Sequence, residues 1–385
     1  MKKKVVLLGS TGSVGCNACK VLGFHKDKFE VAALCANVNY KIMLNQAAAL
    51  DVGKVVVGNK DFYLRCCAEA PSGTEVMCGT EAMIDCVSDP EVDIVVCAIL
   101  GRDALLLVLR ALECGKTVAL ASKEVMLMAG ELVMATAKKY GGRIIPVDSE
   151  HSAIFQCMLG RSCEDVKSLI LTCSGGPFRK YDKNMLEKVT LEDALKHPVW
   201  SMGRKITVDS ASLMNKALEV IEAAYLFGMT EDRIKVLIHP EGIVHSFVEF
   251  NDNSVAGLFA NPSMELPIQY ALSYPDVLPG EVSELDLANI GALHFENVDN
   301  EVFPSIEIAR EALRTGKNMP LCMNAANNVA VAGFCRGEIP FTGIWKVIEK
   351  TMAKTAVADL NDLSDILQAD TMITEMAENM KVKGV

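Results

Sequence analysis

The segment Val5–Gly15, VVLLGSTGSVG, constrains this chain more than any other, because a hydrophobic strand runs straight into three spaced glycines and then into a helical pattern. Gly9, Gly12 and Gly15 carry no Cβ, so the main-chain N–H groups at the helix start are free to approach a pyrophosphate, and the helix dipole favours its negative charge. The spacing is GxxGxxG rather than GxGxxG, and a tight structural turn is the alternative reading. Up to about Asp148 further apolar runs, Val31–Cys35, Val55–Val57, Ile94–Leu100, Val118–Ala121 and Ile144–Val147, alternate with helical periodicity. That alternation predicts a parallel sheet wrapped by helices, a Rossmann-like α/β fold.

A chain of 385 residues exceeds what one hydrophobic core usually organises, so two or three domains are expected. From Ser149 to Tyr274 the texture changes to a long Gly/Pro/Lys-containing segment, a helix near Met214–Phe227 and two strand-like runs, Val244–Phe250 and Val255–Phe259. The polar turn Asn251–Ser254 between those runs predicts a hairpin. Pro275–Gly280 and the acidic stretch after it read as a linker, and beyond them Pro304 and three further amphipathic stretches ending near Met380 predict a helical bundle. The expected segments are 1–148, a dinucleotide-binding Rossmann-like domain; 149–274, a mixed α/β catalytic, metal-binding and dimerisation domain with a flexible lid; 275–293, a linker; and 294–385, a C-terminal helical domain.

A net charge of −11 argues against a nucleic-acid partner, which needs clustered cations. The most apolar stretch, Ala104–Ala121, is interrupted by Arg110, Glu113 and Lys116, so no membrane partner is expected either. Lys2, Lys3 and Lys4 precede an apolar run that ends in the glycine loop rather than at a cleavage site, which reads as no secretory signal. Fourteen scattered cysteines then suggest reduced thiols and a cytoplasmic location. Cys16 and Cys19 form a CxxC just inside the first helix; packing beneath the sheet is preferred over thiol chemistry, which stays the alternative.

Asp148 and Glu150 lie two apart at the end of an expected strand, which predicts that both carboxylates project to one face. Asn215, Lys216 and Glu219 share one helical surface through their three- and four-residue spacing. Asp148, Glu150 and Glu219 make an all-oxygen donor set suited to Mg2+ or Mn2+, although each carboxylate alone is more often a surface or salt-bridge residue. Ser174-Gly175-Gly176-Pro177 reads as an anion-binding loop, or simply a turn; with Ser210, Asn215 and Lys216 it offers a grip for phosphate. The stretch His197–Gly203, which includes Trp200, reads as a lid that excludes water, or as a loop anchored by its Trp. His239 and His245 read as structural histidines, with His239-Pro240 a plausible pocket edge. The second strand ends at Asn37-Val38-Asn39 without the acidic residue usual in NAD-binding folds; this leans towards NADP, with only Lys41 as a nearby cation.

Taken in order, GSTGSVG, ASKE (Ala121–Glu124), VDSEHSAIFQ (Val147–Gln156), SGGPF (Ser174–Phe178), HPVWSMGRKITVDSASLMNKALE (His197–Glu219), IHPEGIVHS (Ile238–Ser246) and NAAN (Asn324–Asn327) resemble the successive signatures of the 1-deoxy-D-xylulose 5-phosphate reductoisomerases across essentially the whole chain. The resemblance implies NADPH contacts at Thr11, Gly12, Ser13, Val14, Asn37, Val38, Asn39, Ser122, Glu124 and Gly203, and Mn2+ or Mg2+ held by Asp148, Glu150 and Glu219. It implies that Lys123, Ser149 and Glu150 meet the reacting end of a sugar phosphate and that Ser174, Ser210, Asn215 and Lys216 hold its phosphate. His197 and Trp200 would belong to the lid, with Lys123, Asp148, Glu150, Glu219 and His197 forming the catalytic set. The implied reaction is rearrangement of a ketose phosphate to an aldehyde, then reduction by NADPH, in a homodimer. Val38 stands where the family often has Arg or Lys, Ser122 where Asn is common, and Ser263 and Glu265 where Asp and a basic residue are usual. Asn328 replaces a usual Glu. The rival readings are a homoserine- or semialdehyde-type dehydrogenase and a catalytically silent NADP-binding sensor or scaffold.

Overall fold

A computed structural model describes residues 2–196, 198–200 and 203–382. The chain divides into two compact units: Met1–Val125 with Glu131–Ser152 and Ser263–Val282, and Met126–Gly130 with Ala153–Pro262 and Ser283–Val385.

The first unit is built on seven strands: β1 (Lys3–Leu8), β2 (Phe29–Ala36), β3 (Lys54–Val57), β4 (Glu75–Cys78), β5 (Ile94–Cys97), β6 (Thr117–Leu120) and β7 (Arg143–Pro146). They form one sheet in the order β4-β3-β2-β1-β5-β6-β7, with every ladder parallel. Helices cover both faces of such a sheet, which is why Val5, Val6, Leu7 and Leu8 read as an unbroken apolar run and are all fully buried. The chain leaves β1 in one direction for β2, β3 and β4, then returns to place β5 on its other side. Strand order therefore reverses at β1, and the crevice outside its carboxyl end is where folds of this kind hold ligands. β4 is a strand the sequence reading missed: its apolar part, Val76-Met77-Cys78, is short, half-exposed on the sheet edge and holds a single β-branched residue. The helix Glu265–Ser273 belongs to this unit despite its late position, through Lys20 to Glu265 at 3.2 Å and His25 Nε2 to Gln269 Oε1 at 3.0 Å.

The second unit has a mixed sheet in the order β11-β10-β8-β9-β12, formed by β8 (Val166–Cys173), β9 (Ile234–Ile238), β10 (Val244–Phe250), β11 (Val255–Phe259) and β12 (Glu296–Asn297). β10 and β11 are the expected hairpin, closed by the Phe250 N–H on Ser254 O at 2.9 Å, with Asn253 supplying the positive φ of the turn at 66°. Leu169, Leu171 and Val248 are fully buried on one face of the sheet. The opposite face carries the register pairs Phe247 with Ile170 and Glu249 with Ser168. The helix Met214–Phe227 forms where its periodicity predicts it.

The C-terminal helices Ser305–Thr315, Met319–Cys335, Gly343–Lys354 and Leu363–Val382 complete this unit. The second is not amphipathic as the sequence reading had it: nearly every residue is buried, because the other three helices pack around it. Trp345 fixes the bundle to the end of the helix Arg204–Ala211, donating to Ser305 Oγ at 2.7 Å, while Ser305 Oγ donates to Ser212 O at 2.6 Å. Among the described residues no helix is long and apolar enough to cross a membrane. All fourteen cysteines are free thiols.

Candidate active site

In the first unit the glycine loop leaves β1 and enters the helix Ser13–Phe24. Gly9 has φ +85°, and a Cβ there would meet Ala98 O at 2.5 Å; one on Gly15 would meet Gly9 O at 2.1 Å. Both contacts are main-chain atoms, so this turn admits only glycine at these two positions. Gly12 is the N-cap and supplies no capping side chain, which leaves first-turn N–H groups open beside the exposed Gly12 and Ser13. Thr11 and Val14 flank them half-buried. The N–H groups of Gly9 and Ser10 both donate to Cys35 O at 2.9 Å, which fastens the loop to the end of β2 and brings Asn37, Val38 and Asn39 beside it, all exposed. Lys41, the cation noted near these residues, pairs with Glu69 at 3.7 Å. Burial pushes the Cys19 thiol up to about 12, with the neighbouring Cys16 adding to the shift, so thiolate chemistry at Cys19 is disfavoured.

β6 delivers Ser122, Lys123 and Glu124 at the same end of the sheet. Ser122 is buried and donates to Ile99 O; Lys123, also buried, reaches Asp148 Oδ2 at 2.5 Å. The strand geometry expected for Asp148 and Glu150 is not what forms. β7 closes at Pro146 and a helix starts at Ser149, so Asp148 precedes the helix and Glu150 lies in its first turn. The helical turn, rather than the strand pleat, sets their spacing, and carboxylate oxygens of the two lie within 4.8 Å of each other. Ser149 donates to Glu150.

In the second unit β8 runs into Ser174-Gly175-Gly176-Pro177, where Gly175 and Gly176 have φ of 79° and 66°. A Cβ on Gly176 would meet Ser210 O at 2.8 Å, so the loop lies directly on the end of the helix Arg204–Ala211, and Ser174 Oγ accepts from the Gly176 N–H at 3.2 Å. The next helix positions Asn215, Lys216 and Glu219 along one side, as the spacing predicts. Asn215 Nδ2 donates to Glu219 Oε1 at 2.5 Å and Lys216 donates to Glu219 Oε2, the side chains of Lys216 and Glu219 being 3% and 1% exposed. Trp200 is half-buried and its neighbour Val199 packs at the turn of Gly242, where an added Cβ would meet it at 3.2 Å. Gly203, exposed, caps the helix Arg204–Ala211. His197 lies outside the described residues.

His239 Nε2 accepts from the Ile243 N–H at 3.1 Å, which makes Nδ1 the protonated nitrogen facing His294 O at 2.9 Å. Burial holds His245 below the usual imidazole range. Sequence reasoning passed over Asp209 and took NAAN only as a landmark. Asp209, 1% exposed, receives Lys205 Nζ at 2.9 Å and Asn327 Nδ2 at 2.9 Å, one residue before Ser210. The available signal was Lys205 four residues before Asp209 on one helix, and asparagines inside an otherwise apolar helix.

A parallel sheet with a glycine turn at its topological switch point, together with a second unit carrying a serine-glycine loop, lysine and carboxylates, defines a Rossmann-type dinucleotide-dependent oxidoreductase. Profiles of the 1-deoxy-D-xylulose 5-phosphate reductoisomerases match residues 5–130, their C-terminal domain residues 144–227, and a second C-terminal domain residues 259–376. The reductoisomerase of Pelotomaculum thermopropionicum is 45% identical over 100% of this chain and 98% of its own, and that of Geotalea daltonii 44% over 96% of each. The solved Zymomonas mobilis reductoisomerase in complex with NADPH is 34% identical with a TM-score of 0.95 and complete coverage of both chains. A DOX-P reductoisomerase solved with NADPH, fosmidomycin and magnesium is also 34% identical, with a TM-score of 0.91 over 98% of each chain. The chain belongs to the 1-deoxy-D-xylulose 5-phosphate reductoisomerase family.

Proposed function

We propose that this protein converts 1-deoxy-D-xylulose 5-phosphate to 2-C-methyl-D-erythritol 4-phosphate with NADPH and a divalent cation, Mn2+ or Mg2+, a step of non-mevalonate isoprenoid biosynthesis. The observation that carries this reading is the family match along the whole chain, with the quoted motifs in order. The glycine loop, through Thr11, Gly12, Ser13 and Val14, takes the cofactor pyrophosphate; Asn37, Val38 and Asn39 border the adenosine ribose, and Ser122, Glu124 and Gly203 the rest of the cofactor. Asp148, Glu150 and Glu219 are the metal ligands. Their oxygen-only chemistry suits a hard cation; Lys123 stands beside Asp148 and Lys216 beside Glu219.

When bound, the cation supplies Lewis acidity to the ketone and neighbouring hydroxyl oxygens, and the nicotinamide supplies hydride. The chain's own residues orient and enclose. Lys123, Ser149 and Glu150 meet the reacting carbons, and Ser174, Ser210, Asn215 and Lys216 grip the phosphate, whose remote binding energy positions those carbons. His197 and Trp200 close over the sugar and exclude water. The segments 1–148, 149–274, 275–293 and 294–385 serve as cofactor domain, catalytic and dimerising domain, linker and helical domain, with the helix Glu265–Ser273 of the second segment packing with the cofactor domain.

The test is NADPH oxidation with 1-deoxy-D-xylulose 5-phosphate and Mn2+, run in parallel with NADH. Glu219→Gln should abolish turnover with the circular dichroism unchanged; near-normal activity at saturating Mn2+ would remove Glu219 from the ligand set.

We infer a cytoplasmic homodimer. All fourteen cysteines are free thiols, which suits a reducing compartment. The sheet face of Phe247, with Phe259 at 43% and Phe295 at 42% exposure, supplies an apolar surface for a second copy. Light scattering checks the dimer.

A further inference from the structure

At the amino ends of the strands in the first unit, opposite the glycine loop, lies a cavity of about 460 Å3. Three cationic residues line it: Lys3 at the start of β1, Lys116 just before β6, and Arg143 at the start of β7. One carboxylate, Asp93, stands with them and accepts the Lys4 N–H at 2.7 Å. Tyr274 and Pro275, following the helix Glu265–Ser273, form the outer wall.

None of the three cations is neutralised by a carboxylate among the described residues. Lys116, 7% exposed, donates to the carbonyl oxygens of Asp89 at 2.7 Å and Val92 at 2.6 Å. Lys3 donates to Tyr274 O at 3.1 Å, and the Arg143 guanidinium sits over the Tyr274 ring at 5.5 Å. A carbonyl satisfies an N–H but leaves the charge of a buried ammonium uncompensated, which is costly unless an anion sits nearby. Donor capacity is left over as well: an ammonium has three donors and a guanidinium five, and the contacts above use only part of them. The chain carries a net charge of −11, so an excess of cations gathered in one concavity is a local feature rather than a reflection of composition.

We propose that this cavity binds a small phosphate-bearing polyanion. Lysine ammoniums and a planar guanidinium arriving from three strand ends match an anion with several oxygens pointing in different directions, and the volume suits a small ligand. Bound there, the anion ties the starts of β1, β6 and β7 to the Tyr274-Pro275 segment. The site is separate from the phosphate grip of Ser174, Ser210, Asn215 and Lys216, which belongs to the other unit.

The experiment is calorimetric titration of the full chain with inorganic diphosphate in metal-free buffer, comparing wild type, the Lys3→Gln/Arg143→Gln double variant and Lys216→Ala. The expected result is a binding component at least tenfold weaker in the double variant and retained in Lys216→Ala, with the melting curve of the ligand-free double variant unchanged. Arg143→Gln alone, at an exposed position, should weaken it by an intermediate factor and serves if the double variant folds poorly. Superimposable titrations of wild type and Arg143→Gln would overturn the proposal, as would loss of all diphosphate binding in Lys216→Ala.

Discussion

Replacing Asn327 separates a positioning role from simple packing. Its Nδ2 donates at 2.9 Å to Asp209, both residues are buried, and Asp209 adjoins Ser210 in the helix that supports the serine-glycine loop. Asn327→Leu keeps the branching at Cγ and removes the donor, while its two methyl groups add bulk at a buried site. A hydrogen bond to a charged acceptor contributes about 1.5–3 kcal/mol. Set against this, Asn327 Oδ1 has no partner among the described residues, and deleting that buried acceptor returns on the order of 1 kcal/mol. The hydrogen-bond balance is a net loss of about 0.5–2 kcal/mol, to which the added bulk contributes further, and since each kcal/mol moves the midpoint of a body this size by about 2–4 °C, the melting temperature should fall by several degrees. Asn327→Asp is the opposing case: it sets a second carboxyl against Asp209 in a buried site, and should cost about 3–5 kcal/mol or force one of the pair to stay protonated. Steady-state kinetics supply the functional readout, with KM for the sugar phosphate rising in Asn327→Leu while kcat stays within a few-fold of wild type. The reasoning fails if Asn327→Asp is no less stable than Asn327→Leu, or if kcat collapses at constant KM.

Lys216→Ala should raise KM for the sugar phosphate at least tenfold, and an unchanged KM would contradict its place in the phosphate grip. Glu249 is held down to about 2 from the usual 4.5 by Lys235 first, then Ser168 and Lys167. A depressed carboxylate stabilises the fold above its unfolded value, and that contribution is lost as pH falls from 4.5 towards 2. Glu249→Gln should therefore flatten the decline of melting temperature across that window, and parallel wild-type and variant profiles would count against it. Val38→Arg, at an exposed position beside the glycine loop, should lower KM for NADPH several-fold at low salt without changing KM for NADH. Equal shifts for the two cofactors would deny Val38 a place near the 2'-phosphate.

What the sequence made legible was whatever rests on local pattern. The buried runs of β1, β2, β3, β5, β6 and β7 and the helix Met214–Phe227 come straight from hydrophobic periodicity, and Gly9 and Gly15 from a turn that admits no side chain. β4 escaped because its apolar part, Val-Met-Cys, has one β-branched residue and lies half-exposed on the sheet edge. Asp148 and Glu150 were placed on a strand because Ile144–Val147 is apolar, and nothing in composition announces that the helix begins at Ser149. The Asp209–Asn327 contact joins residues 118 positions apart, a pairing that tertiary packing alone creates. The helix Glu265–Ser273 joins the first unit through Lys20 and His25, contacts equally invisible to local reading.

The close seating of Gly176 on Ser210 has an evolutionary corollary. With main-chain oxygen only 2.8 Å from where a methyl group would sit, even alanine is excluded, and the left-handed backbone there compounds the barrier. The path of the main chain is therefore frozen at this position, and any drift in what the loop can hold must come from neighbouring side chains such as Ser174.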